Sequence, residues 1–181
     1  KSFVSFADAT LPIDDHLDVI AKEVIAFIPE RIPDWEKDPV LSHHVTLIKR
    51  AFDRLTEEDY VSAASILYPR IEGIIRSYRS ATHGDSPSQA QLAETGSGRD
   101  SQLRDHSLLL PRRFENYLRT VYFARFEPNT LSEEVSRNTV SHGVVKAESL
   151  NRKAALIPFL ILFQLSSIIA AGTNLPKDGK H

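Results

Sequence analysis

The sequence predicts an all-α fold: a helical bundle of about five to seven helices with a long apolar final helix. Three observations predict it. Apolar residues recur at three- and four-residue spacing along most of the 181-residue chain, the mark of helices with one buried face. No pair of alternating apolar runs joined by a tight turn rises above that pattern. Residues 154–171 run for 18 positions without a charge, as in a helix buried on several sides.

The first helix is expected in "PIDDHLDVIAKEVIAFIPERI", with Leu17, Ile20, Val24 and Phe27 at helical spacing. Asp14 and Asp15 suit its first turn, where the helix dipole favours negative charge. Pro29 and Pro33 are expected to close it. "DPVLSHHVTLIKRAFDRL" gives a second helix, with Leu41, Val45, Ile48 and Phe52 on one face. The third is the clearest. Thr56 is its expected N-cap, with Asp59 as an acidic capping-box partner. Its apolar stripe is Ala64, Leu67, Ile71, Ile74, Ile75 and Tyr78, and Pro69 should kink it.

The pattern then stops. Residues 82–105 are polar, small and turn-rich, and are expected to form a mobile insertion between helices. "PRRFENYLRTVYFARF" restores a helix, with Phe114, Leu118, Val121 and Tyr122 inward. "LSEEVSRNTVSHG" reads as a short helix or a helix end. The final helix follows in "ESLNRKAALIPFLILFQLSSIIAA". Its uncharged run just reaches membrane-spanning length. Pro158, Gln164, Ser166 and Ser167 interrupt that run, and no positively charged flank stands out. The expectation is a core helix with no membrane contact.

Length favours one domain with a sizeable core. The formal charge of −2 supplies no global basic field for nucleic acid, so any such binding needs a local patch. The absence of cysteine excludes a disulfide scaffold, thiolate zinc sites and a cysteine nucleophile. It fits a reducing, cytoplasmic setting, and no signal peptide is visible. Methionine is absent too, which suggests a fragment. "KSFVSFADATLP" then reads as a stub, and residues 1–55 as an N-terminal helical segment of a larger protein. Residues 173–181 are a tail.

Four clusters carry candidate chemistry. His43 and His44 are adjacent, so on a helix they point about 100° apart and suit one metal poorly; they read as partly exposed helix residues. Glu72, Arg76 and Arg79 fall on one helical face. They form either a surface ion pair with an extra cation or a polar wall of a substrate cleft. Arg112, Arg113, Arg119 and Arg125 interleave with Phe114, Tyr117, Tyr122 and Phe123. That mixture suits single-stranded nucleic acid, or else aromatic core residues beneath a solvated basic face. The fourth cluster is "SRNTVSHG", residues 136–143. Arg137 and His142 diverge by roughly 140° on a regular helix, so they converge only if the helix ends or bends between them. Gly143 suits such an end. Histidine can move a proton near neutrality, arginine offers a fork for phosphate, and Asn138 can orient either. These are the parts needed to cleave RNA without a metal or other cofactor, the ribose 2′-hydroxyl attacking its own phosphate.

An arginine, a polar residue directly after it, and a histidine after four intervening residues resemble the signature of the HEPN superfamily. Arg137, Asn138 and His142 match it. "LYPRIEGIIRSY" followed much later by "SRNTVSHGVV" looks like a HEPN branch found as C-terminal domains of larger bacterial proteins. The resemblance covers roughly residues 56–171, and implies a HEPN-like domain over 56–172. It also implies a helical bundle that forms a homodimer, with arginine–histidine motifs facing across the interface. Many such domains are metal-independent endoribonucleases of toxin–antitoxin or phage-defence systems. Their partners are RNA, an antitoxin, or other domains of the same protein. Others are inactive RNA-binding or assembly modules. On this reading Arg137, Asn138 and His142 are catalytic, and Glu72, Arg76 and Arg79 line the substrate cleft.

Overall fold

The computed structural model describes residues 13–84, 87–98 and 109–173. The expectations for the N-terminal stub, for residues 85–86 and 99–105 of the insertion, and for residues 174–181 of the tail lie outside these residues. The described residues form seven α-helices and no strand. The long apolar final helix is present.

The first helix, α1 (Ile13–Trp35), does not stop at its prolines; both Pro29 and Pro33 lie inside it. Burial explains why. Ile28 is fully buried and Trp35 is 3% exposed, so continuing the helix seats two large side chains. That outweighs the hydrogen bonds the prolines remove. The buried stripe is therefore Ile20, Val24 and Ile28, and Phe27, expected inward, is 43% exposed.

A 3₁₀ turn (Leu41–His44) leads into α2 (Val45–Thr56). Asp38 opens that turn by accepting from the Val40 and Leu41 amides at 2.8 Å each. His44 is buried, not partly exposed as the sequence suggested. Thr56 ends α2 rather than capping the next helix. Its hydroxyl donates back to the Asp53 carbonyl at 2.8 Å. The chain reverses through a Schellman arrangement. The Glu58 amide donates to the Leu55 carbonyl, and the Asp59 amide to the Arg54 carbonyl. Glu58 holds the left-handed position, φ +61, where glycine is usual. Asp59 is the N-cap of α3 (Tyr60–Thr82), accepting from the Ser62 amide at 3.1 Å.

Helix α3 is the axis of the bundle and packs against α2, α6, α7 and α4. All six residues of its expected stripe are buried. Part of the expected loop is instead a helix, α4 (Gln89–Gly96). Ser88 and Gln91 close a capping box at its start, and Leu92 and Ala93 are fully buried. The signal for that box was present in a stretch otherwise rich in breakers. Gly96 permits the close packing: a Cβ there would lie 3.0 Å from both Ile75 and Leu118.

Next, α5 (Leu109–Tyr117) widens into a π-helical turn (Leu118–Tyr122). Leu118 and Tyr122 point inward as expected. Tyr122 stacks on Tyr68 with ring centroids 6.0 Å apart and donates its hydroxyl to the Tyr68 carbonyl. Burial, reinforced by Glu72, pushes that hydroxyl's pKa well up, so it stays a donor.

The short α6 (Arg137–Ser141) and a 3₁₀ turn (Ala147–Ser149) precede α7 (Arg152–Thr173). By length and composition α7 could cross a membrane, with mean hydropathy 2.2. In the fold it packs on α3 and α1. Leu156, Phe159, Ile161, Leu162 and Leu165 are all buried. It runs parallel to α1: Arg152 and Lys153 pair with Asp18 and Asp14 at one end, and Phe163 meets Phe27 and Trp35 further along.

Candidate functional site around Arg137 and His142

Five residues are too few to hold a helix by themselves, so α6 depends on its ends. At the start, Ser136 accepts from the Thr139 amide at 3.1 Å, and the Ser136 amide donates to the Thr139 hydroxyl at 2.9 Å. This is a capping box with threonine in the usual Glu/Gln place. At the far end, His142 is the C-cap and Gly143 adopts φ +68. The Gly143 amide donates to the Val140 carbonyl, and the Val144 amide to the Thr139 carbonyl, a full Schellman motif. The helix ends at Ser141, with His142 as its C-cap. Beyond it, Ser132 is bonded to Val144 and Lys146, tying the preceding loop to the exit of α6.

Each member of the motif has a partner on another element. Arg137 forms an ion pair through Nε with Glu72 of α3, and its Nη1 donates to Asn138 Oδ1 at 2.9 Å. Glu72 is 5% exposed. Its Oε1 also accepts from Arg76 Nε at 2.7 Å and meets Arg76 Nη2 at 2.6 Å. One buried carboxylate therefore holds two guanidiniums, Arg137 with its side chain 23% exposed and Arg76 with 46%. A buried carboxylate needs such pairing to remain charged.

Asn138 is buried, and its amide donates to the Phe123 carbonyl at 3.2 Å and the Ala124 carbonyl at 2.9 Å. These carbonyls follow the π-helical turn, so Asn138 pins α6 to the end of that segment. Gln89 Nε2 approaches Asn138 Oδ1 at 3.4 Å. His142 is exposed and stacks on Phe126, with ring centroids 4.7 Å apart and planes 27° apart.

The structure brings Glu72, Arg76, Arg137 and Asn138 together, with His142 at the other end of the same short helix. Arg79 does not join them. It is 6% exposed and donates to Thr95 Oγ1 of α4 at 2.9 Å, so it braces α4 rather than lining a cleft beside Arg76. The i, i+7 spacing cannot foresee this, because α4 lies in a stretch rich in turn-forming residues. The sequence reading also missed Phe126 and Gln89, neither of which carries a spacing signal. The aromatics of the arginine-rich stretch divide as core residues: Phe114, Tyr122 and Phe123 are buried. Arg112, Arg113 and Arg125 are exposed, and Arg119 is held by Glu115 at 2.7 Å and Glu94 at 2.9 Å.

Two further features lie apart from the motif. A groove of about 480 Å³ between α1 and α7 is lined by Phe27, Trp35, Leu160 and Phe163, with Asp34 and Asp38 among its polar residues. At His44, Arg70 Nη1 lies 3.3 Å from Nδ1 and Ser77 Oγ lies 3.0 Å from Nε2. Arginine can only donate, so Nδ1 accepts and Nε2 carries the proton. Burial, then Arg70 and His43, lower the His44 pKa to about 4. Among the described residues no group of three or more His, Cys, Asp or Glu is arranged to hold a metal ion.

No family model matches the chain, and neither does any curated protein or solved structure.

Proposed function

We propose that this chain is a HEPN-like endoribonuclease domain that cleaves RNA without a metal, in a toxin–antitoxin or phage-defence setting and as a homodimer. The observation that carries the proposal is the doubly capped α6. It presents Arg137 at its first position and His142 at its C-cap, one partly and one openly exposed. A phosphodiester lying along this short helix meets a guanidinium at one end and an imidazole at the other. The ribose 2′-hydroxyl loses its proton and attacks phosphorus, and the bond to the 5′-oxygen breaks. The departing oxygen takes up a proton. His142 serves as general base or general acid in this exchange. Arg137 stabilises the charge that builds on the phosphoryl oxygens. Asn138 positions Arg137 through the Oδ1 contact and does not itself need to meet substrate.

A second reading has its own support. Arg137 and Asn138 are both engaged within the fold, as expected of a non-catalytic RNA-binding or dimerisation module that keeps the motif for its architecture. Incubation with RNA in EDTA decides between them. The nuclease reading expects products ending in 2′,3′-cyclic phosphate and 5′-hydroxyl, and no cut where the attacking ribose is 2′-deoxy. Binding without cleavage under all conditions assigns the module role.

A further inference from the structure

We infer that Arg76 and Arg137 together form one binding site for an RNA phosphodiester, with Glu72 as the positioning residue that holds both guanidiniums in place. The inference deepens the proposed reading and rests on it for the class of ligand. An i, i+4 Glu–Arg pair on a helix is ordinarily a surface feature of little consequence. This one differs in three ways. Its carboxylate is 5% exposed and is shared with a second arginine from another helix. Two cations on one anion leave one positive charge in surplus, the complement of a single phosphodiester.

The third difference is in the donors. Arg76 donates Nε to Glu72 and turns Nη2 to it; Arg137 donates Nη1 to Asn138 and sets Nε against Glu72 as an ion pair without hydrogen-bond geometry. Arg76 Nη1 and Arg137 Nη2 have no partner among the described residues. They are donors on pre-oriented forks, the geometry that suits phosphate oxygens. Holding both arginines on a buried carboxylate lowers the side-chain entropy lost when phosphate arrives.

The test uses the full chain and a fluorescein-labelled 2′-O-methyl oligoribonucleotide, which cannot be cleaved by 2′-hydroxyl attack. Its anisotropy is followed from about 50 to about 200 mM KCl, a range over which phosphate contacts weaken markedly. Arg76→Gln should weaken binding by roughly tenfold and reduce the slope of log K against log salt by about 0.7, one single-strand phosphate contact. Arg76→Lys should keep the slope while binding less tightly, because it retains charge without the fork. Because Arg76→Lys keeps the partner of Glu72, it remains informative if Arg76→Gln proves unstable: a slope lost in Arg76→Lys with an unchanged melting temperature overturns the inference. So does an Arg76→Gln protein that binds with wild-type affinity and slope, or a wild-type protein with no salt-dependent binding. Cleavage of the unmodified strand is read in parallel. Binding that needs Arg76 without any cleavage refutes the nuclease and keeps the site. Cleavage and binding both indifferent to Arg76 refute the site and keep the nuclease.

Discussion

The Asn138 side-chain amide donates to the Ala124 backbone carbonyl at 2.9 Å, so the motif residue beside Arg137 is a tether between α6 and the end of the π-helical turn. Asn138→Ala would leave the Phe123 and Ala124 carbonyls without this donor and Arg137 without its Oδ1 partner. Buried groups stripped of a partner destabilise by about 1–3 kcal/mol, and urea denaturation should report a loss in that range. Asn138→Asp should be at least as damaging, because it sets a carboxylate against two carbonyl oxygens. A neutral result for both would show that the tether is dispensable.

Arg137 and His142 should separate in their effects. His142→Ala removes an exposed ring stacked on Phe126, so the melting temperature should barely move, while cleavage drops by roughly 10²-fold, the usual scale for lost acid–base catalysis. Arg137→Lys should harm both properties. An ammonium cannot pair with Glu72 and also hold the Asn138 geometry, so stability should fall by about 1–3 kcal/mol, along with activity. Paired denaturation and cleavage assays on the two variants check this.

His44 should make the fold sensitive to mild acid. Its folded pKa is about 4, against 6.5 for the unperturbed side chain. Between those values the unfolded chain takes up a proton that the folded chain refuses. The stabilising contribution of neutral His44 is therefore fully present above pH 6.5 and declines as pH falls toward 4, by at most about 1.4 kcal/mol per pH unit. His44→Gln cannot titrate and keeps an amide for Ser77 and Arg70. Its stability should lose less than the wild type's over that window in denaturant melts at stepped pH.

Two glycine exchanges should act in opposite directions. Glu58→Gly places glycine at the left-handed position of the α2–α3 turn and should stabilise by about 1 kcal/mol. Gly172→Ala would drive a Cβ into the buried Tyr78 hydroxyl, so that the α7–α3 contact must shift, at a typical loss of about 1–3 kcal/mol. Thermal melts of the two variants give the signs directly.

Light scattering at micromolar protein should return twice the 20.3 kDa chain mass. The apolar surface left exposed by the fold includes Val19, Ile25 and Phe27 of α1, and Leu131 in the loop before α6, which makes those regions the first to map. A mass that stays at one chain across concentrations would refute a site composed from two subunits.

The fold was largely legible because its strongest signals are periodic. The α3 stripe from Ala64 to Tyr78 repeats at helical spacing, and every member is buried. What failed was local chemistry overruled by distant packing. Pro29 and Pro33 have the right chemistry to end a helix, but nothing near them announces the core that receives Ile28 and Trp35. α4 was hidden for the converse reason: its capping box sits among breakers, and it is held by Ile75, Leu118 and Arg79 from elsewhere in the chain. At the site, Arg137, Asn138 and His142 could be singled out by type and spacing, and Gly143 foretold the helix end. That Asn138 faces inward, and that Glu72 is shared by two arginines, depends on how α6 docks against α3, which periodicity does not encode.

Trp35 is the chain's single tryptophan, and it lies 3% exposed at the end of α1 with its ring 6.3 Å from Phe163 of α7. Tryptophan emission, excited where tyrosine does not absorb, therefore reports on one seam of the molecule, the parallel contact of α1 and α7. The motif is fastened elsewhere, to α3 and to the end of the π-helical turn. Fluorescence can thus follow the separation of the first and last helices without a label, while the chemistry at α6 is followed independently by its products.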